Sequence, residues 1–354
     1  MPIKVAIVGT SNSVMRVGYV SGLAAVDGIE IVANTSIGSS HSILVPMVLE
    51  DEVLDQSDFA IFDLTINEQR ALNRQMYNLD TMREIFFYIL GKCRRHGVVP
   101  VFLLMPMRLY EDGYDIIAEY TALCERYSVL HVNPARLAKT QAARLGKTWV
   151  DMFQDQHHLV SEVAEEVGRR LGTALKGADL APGETVPISW PDFTFAPAAP
   201  FAGKLKVIDR STRLIASQLV RMVPGDKMTL AVANDAAVMG IALNMARTNA
   251  NLRLEGRTQV VKRLTHPYYD PRPALRLVVW QMLAPIQADG ERVVLTCQPD
   301  SKDAGIESND HFAKAVPHAD TPEAEIAGLV LRSATAPSVV AWQGYATPHM
   351  HLTD

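Results

Sequence analysis

The sequence predicts an α/β half built on a doubly wound parallel sheet, followed by an all-β half. In the first half, short apolar runs without strict alternation are separated by amphipathic stretches, a pattern typical of strands buried on both faces with helices between them. In the second half, turn residues such as Pro224-Gly225-Asp226 separate many short strands, and few helices are indicated. The length of 354 residues agrees with about two domains.

The elements of the first half follow from its apolar spacing. Five runs predict the strands of the parallel sheet, at residues 4–8, 29–33, 59–64, 98–104 and 129–132. The clearest helix carries an apolar stripe at three- and four-residue spacing: Met76, Leu79, Met82, Ile85, Phe86, Ile89, Leu90 and Cys93. The last helix repeats apolar residues every four positions: Leu159, Val163, Val167, Leu171 and Leu175. Together they predict one sheet covered on both faces.

A change in composition separates the two halves. Prolines at positions 182, 187, 191, 197 and 200, together with several alanines, predict a linker that drapes over a surface. Beyond it, eight apolar runs predict the strands of an antiparallel sandwich, at residues 205–208, 228–232, 238–243, 252–254, 260–264, 275–282, 293–296 and 339–342. The predicted organisation is an α/β domain over residues 1–178, a Pro/Ala-rich linker over 179–202 and a β-sandwich over 203–354. This last domain could bind carbohydrate or serve as an interaction module.

The bulk properties exclude several classes of protein. The net charge of −5 offers no basic surface for nucleic acid, and no apolar run approaches the ~18 residues that span a bilayer. The N-terminus runs straight into a strand and lacks the pattern of a secretory signal, so we expect a cytoplasmic location. Cys93, Cys124 and Cys297 show no zinc spacing and are expected to be buried free thiols.

A serine stands where the first predicted strand ends. The buried run over residues 4–8 stops at Gly9, and Ser11 follows near the start of a helix. Ligands of a doubly wound sheet bind at the carboxyl ends of its strands, so Ser11 is placed at the binding edge. Serine is also a common N-cap residue, and for Ser11 taken alone both interpretations are open.

Three more polar segments follow predicted strands and are therefore expected at the same edge. The second strand leads to Gly38, whose backbone N–H could face a developing oxyanion, and the third leads to Asn67, whose amide could donate to the same point. The segment Asp155-Gln156-His157-His158 precedes the last helix and supplies an acid and a base three residues apart. With Ser11, these are the parts of a hydrolytic triad, which is defined by geometry and not by sequence position.

The order Ser11, Gly38, Asn67, Asp155, His158 resembles the sequence blocks of the SGNH (GDSL-like) hydrolase family. The resemblance covers about residues 3–176 and is most specific at the Asp155-x-x-His158 element. It implies a flavodoxin-like, three-layer α/β fold.

The resemblance also implies acyl transfer through a serine. Ser11 would attack an ester carbonyl, His158 would relay the proton, and Asp155 would orient the imidazole. The backbone N–H groups of Ser11 and Gly38, with the Asn67 amide, would form the oxyanion hole.

The match has departures and one competing base. Thr10, Thr65 and Glu68 stand where the family commonly has Asp, Gly and Asp, which indicates a divergent member. His157 is an alternative base. His158 is preferred because the family spacing is Asp-x-x-His and because Leu159 is then expected to begin the helix. His157 and Asn12 are expected to contact substrate.

No cofactor and no metal are predicted. The segment Gly9-Thr10-Ser11-Asn12-Ser13 lacks the later glycines of a dinucleotide fingerprint, and Ser13 replaces the final glycine of a G-x-S-x-G elbow. The pair His349-x-His351 could bind a metal if it lay on a strand, but no cysteine stands near it.

The preferred function is a serine esterase that removes small acyl groups, most simply acetyl, from a carbohydrate or another small ester. The carbohydrate assignment rests on fold analogy, which is a weak warrant. Two alternatives stay open: a polysaccharide O-acetyltransferase with the same triad, and a non-catalytic glycan-binding protein on the same scaffold. The second domain could bind substrate, wall the cleft or mediate a homo-oligomer. The acyl group and the sugar are not specified by the motifs.

Overall fold

The first half folds around a five-stranded parallel sheet. Its strands are β1 (Ile3–Gly9), β2 (Ile29–Asn34), β3 (Phe59–Asp63), β4 (Val99–Leu103) and β5 (Leu130–Val132), in the order β2-β1-β3-β4-β5. Each predicted strand end lies within one residue of the observed one, because the apolar runs mark the strands directly. Four of the strands are largely buried, whereas the edge strand β2 is partly exposed along its length. The structure is a computed structural model that describes residues 1–265, 270, 272, 274–301, 305–308, 321–335 and 337–352.

Nine helices of the described chain cover the two faces and edges of this sheet: α1 (Ser11–Val14), α2 (Tyr19–Ala24), α3 (Val45–Val48), α4 (Asp51–Leu54), α5 (Thr65–Leu72), α6 (Leu79–His96), α7 (Asp115–Arg126), α8 (Ala135–Leu145) and α9 (Ser161–Lys176). The helix α6 starts after an N-cap at Asn78, so Met76 precedes it. The expectation that Leu159 begins the last helix is wrong. Leu159 forms a β-bridge with Phe153, and α9 begins at Ser161.

The second half contains two antiparallel sheets packed face to face, with a separate apolar core between them. One sheet has the order β10-β15-β12-β13-β16 and the other β14-β11-β17-β9-β8, with β7 also paired to β17. Their strands are β7 (Phe193–Pro197), β8 (Lys206–Ser211), β9 (Ala216–Met222), β10 (Lys227–Ala231), β11 (Ala237–Asn244), β12 (Asn251–Glu255), β13 (Gln259–Arg263), β14 (Leu277–Gln287), β15 (Arg292–Gln298), β16 (Glu307–Ser308) and β17 (Ala324–Arg332). Sequence reasoning missed β9, β16 and β17.

The predicted linker over residues 179–202 is wrong, because most of this segment forms strands. Residues Pro182–Trp190 form β6, which pairs antiparallel with β18 (Ser338–Tyr345), and Phe193–Pro197 join the sandwich as β7. The prolines within these strands are compatible with them, because Pro182 and Pro197 lie at strand ends and Pro187 lies in the two-stranded β6–β18 pair, where each strand has a free edge.

The chain end also departs from the prediction of a sandwich reaching to residue 354. The β6–β18 pair packs on α6, and the indole N–H of Trp342 donates to the Tyr127 carbonyl at 2.7 Å. His349 then pairs with His131, so the tail extends the parallel sheet beside β5. Residues 182–190 and 338–350 therefore belong structurally with the α/β half.

The two halves share a hydrogen-bonded, apolar interface. His41 N–H donates to the Val279 carbonyl at 3.1 Å, and Val279 N–H donates to Ser40 Oγ at 3.0 Å. Gln281 exchanges two hydrogen bonds with the Asn78 backbone. The strand β11 is buried along its whole length because one face lies in the sandwich core and the other packs on the α/β half.

The cysteines and the helices agree with two expectations from the sequence. The three cysteines are free and buried. Within the described ranges, no helix has both the length and the apolar composition needed to cross a lipid bilayer.

Candidate active site

Ser11 lies at the carboxyl edge of the parallel sheet, two residues after β1, the strand between β2 and β3. The strand β1 ends at Gly9, which is in register with Asp63 at the end of β3, and α1 begins at Ser11. The turn is tight: a Cβ added to Gly9 would lie 2.1 Å from Ser13 Oγ and 3.1 Å from the Asp63 Cβ. Glycine is the residue that fits at this tight turn. The turn leaves Ser11 partly exposed.

The structure brings Ser11, His158 and Asp155 into one line of hydrogen bonds. Ser11 Oγ lies 2.8 Å from His158 Nε2, and His158 Nδ1 lies 2.7 Å from Asp155 Oδ2. Both contacts are satisfied when the proton of a neutral imidazole is on Nδ1, which leaves Nε2 to accept the serine proton. Asp155 Oδ1 also accepts the backbone N–H groups of His157 and His158, at 2.7 and 2.9 Å. The acid is therefore fixed by its own loop.

The electrostatics differ between the two adjacent histidines. Burial alone would raise the pKa of Asp155, but hydrogen bonds from His158 and from the His157 N–H lower it overall, so the carboxylate stays charged at neutral pH. Burial and the nearby Arg70 guanidinium lower the pKa of His157 to about 4. His157 is therefore neutral at neutral pH, and its ring lies 6.2 Å from that of His158 without replacing it beside Ser11.

Gly38 lies beside Ser11, and Asn67 lies at the same sheet edge. A Cβ added to Gly38 would be 3.9 Å from Ser11 Cα, which is ordinary contact, so space does not require glycine at this position. Asn67 occupies the first turn of α5, directly after β3. Its side chain is buried, and Nδ2 has no hydrogen-bond partner within the described chain. Such an unsatisfied donor suits a site where negative charge develops.

The predicted substrate contacts Asn12 and His157 stay predictions. Asn12 lies within α1, and its Nδ2 is buried with no partner among the residues that the structure describes. His157 is partly exposed in the loop next to His158.

Sequence reasoning missed a buried polar network below Ser11. Ser13 Oγ donates to Asp63 Oδ2 at 2.8 Å and lies 2.5 Å from the Tyr19 hydroxyl. Burial raises the pKa of Asp63 to about 6, although the Ser13 hydrogen bond and the charge of His158 oppose the rise. A signal was present, because an ionisable residue at the end of a fully apolar strand lies at the binding edge.

A cavity of about 300 Å³ opens between this edge and the sandwich half. Val14, Ser36 and Gly38 line it on the α/β side, and the turn between β8 and β9 lines it on the other. The Arg213 side chain reaches from that turn and donates to the Val14 carbonyl at 3.1 Å. The second half therefore lines a cavity that reaches Gly38, next to Ser11.

The C-terminal histidines lie at a different place. His349 Nδ1 is 3.2 Å from His131 Nε2, and the His349 and His351 rings are 4.5 Å apart. No cluster of three or more His, Cys, Asp or Glu suited to a metal ion occurs in the described part of the chain.

The sequence matches no protein family and no curated protein, whereas its fold has clear counterparts among solved structures. A two-domain esterase (CEX) active on acetylated mannans superposes with a TM-score of 0.60 at 11% identity, covering 95% of this chain and 92% of that chain. The same esterase co-crystallized with mannopentaose gives 0.57 at 10% identity, with the same coverage. Both halves and their arrangement are thus shared, and the predicted fold class, an SGNH-like α/β domain joined to an all-β domain, is confirmed.

Proposed function

We propose that this protein is a serine esterase that removes acetyl or similarly small acyl groups from a carbohydrate. The observation that carries the proposal is the hydrogen-bonded line from Ser11 Oγ through His158 to Asp155. A serine and a carboxylate that each lie within 3 Å of one nitrogen of the same imidazole form an arrangement suited to nucleophilic acyl transfer. A non-catalytic scaffold would have no need to hold the three groups in this line.

The proposed reaction has two halves. Ser11 Oγ attacks the ester carbonyl carbon while its proton passes to His158 Nε2, and the charge formed on the imidazole is stabilised by Asp155. The tetrahedral oxyanion takes hydrogen bonds from the backbone N–H groups of Ser11 and Gly38 and from the Asn67 amide. The C–O bond then breaks, and the leaving alcohol takes the proton from His158. Water, deprotonated by His158, next attacks the acyl-enzyme and releases the carboxylic acid and free Ser11.

The carbohydrate part of the proposal has a separate support. The two-domain structure that shares this architecture belongs to an esterase active on acetylated mannans. Likeness of fold is a weaker warrant than the geometry of a site. The reaction type therefore rests on the side chains, and the substrate class rests on the shared arrangement of the domains.

A fluorophosphonate probe tests the nucleophile directly. We expect covalent labelling at Ser11, no labelling of Ser11→Ala, and strongly reduced labelling of His158→Ala, because the serine proton then has no acceptor. Release of acetate from acetylated oligosaccharide should fall by about 10³-fold or more in both variants. Ser57→Ala is a matched control, since Ser57 precedes β3 at the opposite edge of the sheet and its hydroxyl donates to the Val53 carbonyl. Folded wild-type protein without labelling and without acetate release would refute the proposal.

Hydrolysis and transfer are separated in the same assay. The acetyltransferase alternative uses the same acyl-enzyme and differs only in the acceptor, a sugar hydroxyl in place of water. We expect released acetate to account for all acetyl lost from the donor, even with added unacetylated oligosaccharide. An acetylated acceptor as the main product would favour the transferase.

A further inference from the structure

We propose that Arg213, a residue of the sandwich half, binds a negatively charged group on the sugar, so that the preferred ester is one of an acidic saccharide such as a uronate. This inference rests on the proposed esterase function and specifies its substrate class. It gives the second half a defined task at the candidate site.

The turn that carries Arg213 is firmly built. Thr212 N–H donates to the Ile215 carbonyl at 2.7 Å, and Thr212 Oγ1 accepts the N–H groups of Leu214 and Ile215 at 3.2 and 3.1 Å. This closes a tight connection between β8 and β9, with Arg213 at its tip. The guanidinium donates to the Val14 carbonyl, three residues after Ser11. One contact to a carbonyl leaves most of the five N–H donors of an arginine available for an anion.

The cavity beneath this turn has the chemistry of an anion-binding pocket with apolar walls. Arg213 and Arg276 both line it, together with the oxyanion-side residues Ser36 and Gly38. None of the described residues that line it is an aspartate or a glutamate. The positive charge of Arg276 also interacts with the Asp270 carboxylate, which is paired with Arg272. The proposal therefore depends on Arg213. The remaining walls are mainly aliphatic and suit the C–H faces of a sugar ring.

Two further arginines place positive charge on the other side of the candidate site. Arg70 and Arg74 both act to lower the pKa of His157, which stands next to the proposed base. The chain as a whole carries a formal charge of −5, so the arginines near Ser11 oppose the overall charge. A local field of this kind favours entry of an anionic ligand. Asp155, which is bonded to His158, and the buried Asp63 do not line the cavity, so neither carboxylate faces an anion bound there.

The test compares three monoacetylated methyl glycosides with the acetyl group at the same hydroxyl: glucose, glucuronate, and glucose carrying a phosphate. We expect the wild type to prefer the glucuronate ester over the glucose ester in kcat/KM by about tenfold, the effect of a charge-assisted hydrogen bond from the exposed Arg213 side chain. Arg213→Gln should bring this ratio close to one, whereas Arg213→Lys should keep part of it. The preference should also weaken as salt is added. Higher turnover of the phosphate ester would overturn the carboxylate assignment.

Arg292→Gln is the matched control, because Arg292 is an exposed arginine of the same half that pairs only with Asp289 among the described residues and lies away from the cavity. Equal wild-type rates on all three esters, or an unchanged ratio in folded Arg213→Gln, would overturn the inference while leaving the esterase proposal intact. Calorimetric binding of sodium glucuronate to Ser11→Ala, in backgrounds with and without Arg213→Gln, gives a readout that needs no turnover. Binding that depends on Arg213 supports the inference even if no ester is cleaved, an outcome that would count against the esterase alone.

Discussion

At the scale of single residues, Gly9 and Asp63 govern the turn that presents Ser11. Gly9 leaves the space that Ser13 Oγ occupies, and Ser13 in turn donates to Asp63. The position where the SGNH family commonly has an aspartate before the nucleophile holds Thr10, which is fully buried. In this chain the carboxylate below the Ser11 turn comes instead from the neighbouring strand β3, which sequence order alone does not reveal.

Asp63 should make a pH-dependent contribution to turnover. Its pKa is about 6, so it gains a negative charge as pH rises through that value, and this charge stabilises positive charge developing on His158. We expect the ratio of kcat/KM between wild type and Asp63→Asn to rise roughly fivefold as pH increases through this range and then to level off, an effect of about 1 kcal/mol of charge interaction.

His157→Asn is the control for this measurement. Because the pKa of His157 is about 4, its loss should leave the wild-type-to-variant ratio flat between about pH 5 and pH 8. A flat ratio for Asp63→Asn, or a titrating ratio for His157→Asn, would contradict the assignment of charge in this network.

At the scale of elements, the β6–β18 pair shows how tertiary contacts override composition. Trp190 at the end of β6 is buried against Gly91 of α6, where an added Cβ would lie 1.2 Å from the indole ring. Arg95 of the same helix stacks 4.5 Å above that ring. The prolines and alanines of this segment are typical of a linker. The strand with which it pairs, β18, lies about 150 positions further along the chain.

Truncating this tryptophan therefore distinguishes a packed strand from a loose linker. We expect Trp190→Ala to lower the free energy of unfolding by about 3–5 kcal/mol, the usual cost of removing a buried aromatic side chain. Val339→Ala on β18 is the control, since Val339 is 71% exposed and should change stability by less than about 0.5 kcal/mol. Denaturant unfolding measures both, and a Trp190→Ala value as small as the control would show that the segment is not packed.

At the scale of the whole molecule, Glu68 links the candidate site to the interface between the halves. Its Oε1 accepts Ser42 N–H at 3.0 Å and the Tyr77 hydroxyl, and the neighbouring His41 is bonded to β14. Burial raises the pKa of Glu68 to about 7, although hydrogen bonds from Ser42 and Tyr77 oppose the rise. The folded protein therefore holds this proton over a range in which the unfolded chain has already released it.

This linkage predicts that the protein loses stability as pH rises. Between the ordinary glutamate pKa of 4.5 and about 7, the folded state binds more protons than the unfolded state, so the free energy of unfolding falls as pH increases. The pKa shift of Glu68 corresponds to roughly 3 kcal/mol of stability. Glu68→Gln should remove most of this contribution to the slope of the unfolding free energy against pH. Asp63, whose pKa is also raised, contributes to the same fall in the free energy of unfolding as pH increases. Asp155 and Glu166 have lowered pKa values, so the stability that they contribute is lost only in more acidic solution. Denaturant unfolding at several pH values checks this, and an equal slope in wild type and Glu68→Gln would contradict it.

The sequence by itself determined the parallel sheet and the order of the candidate site residues. Strands buried on both faces are continuous apolar runs, and parallel strands deliver their following residues to one edge, so Ser11 and the Asp155–His158 element could be placed together before any coordinates. The tertiary structure alone decided that residues 182–190 are a strand, that Asp63 lies below the Ser11 turn, and that Arg213 of the other half reaches the Val14 carbonyl. These depend on contacts between distant segments, whose free energy is set by packing and burial and leaves no local periodicity in the chain.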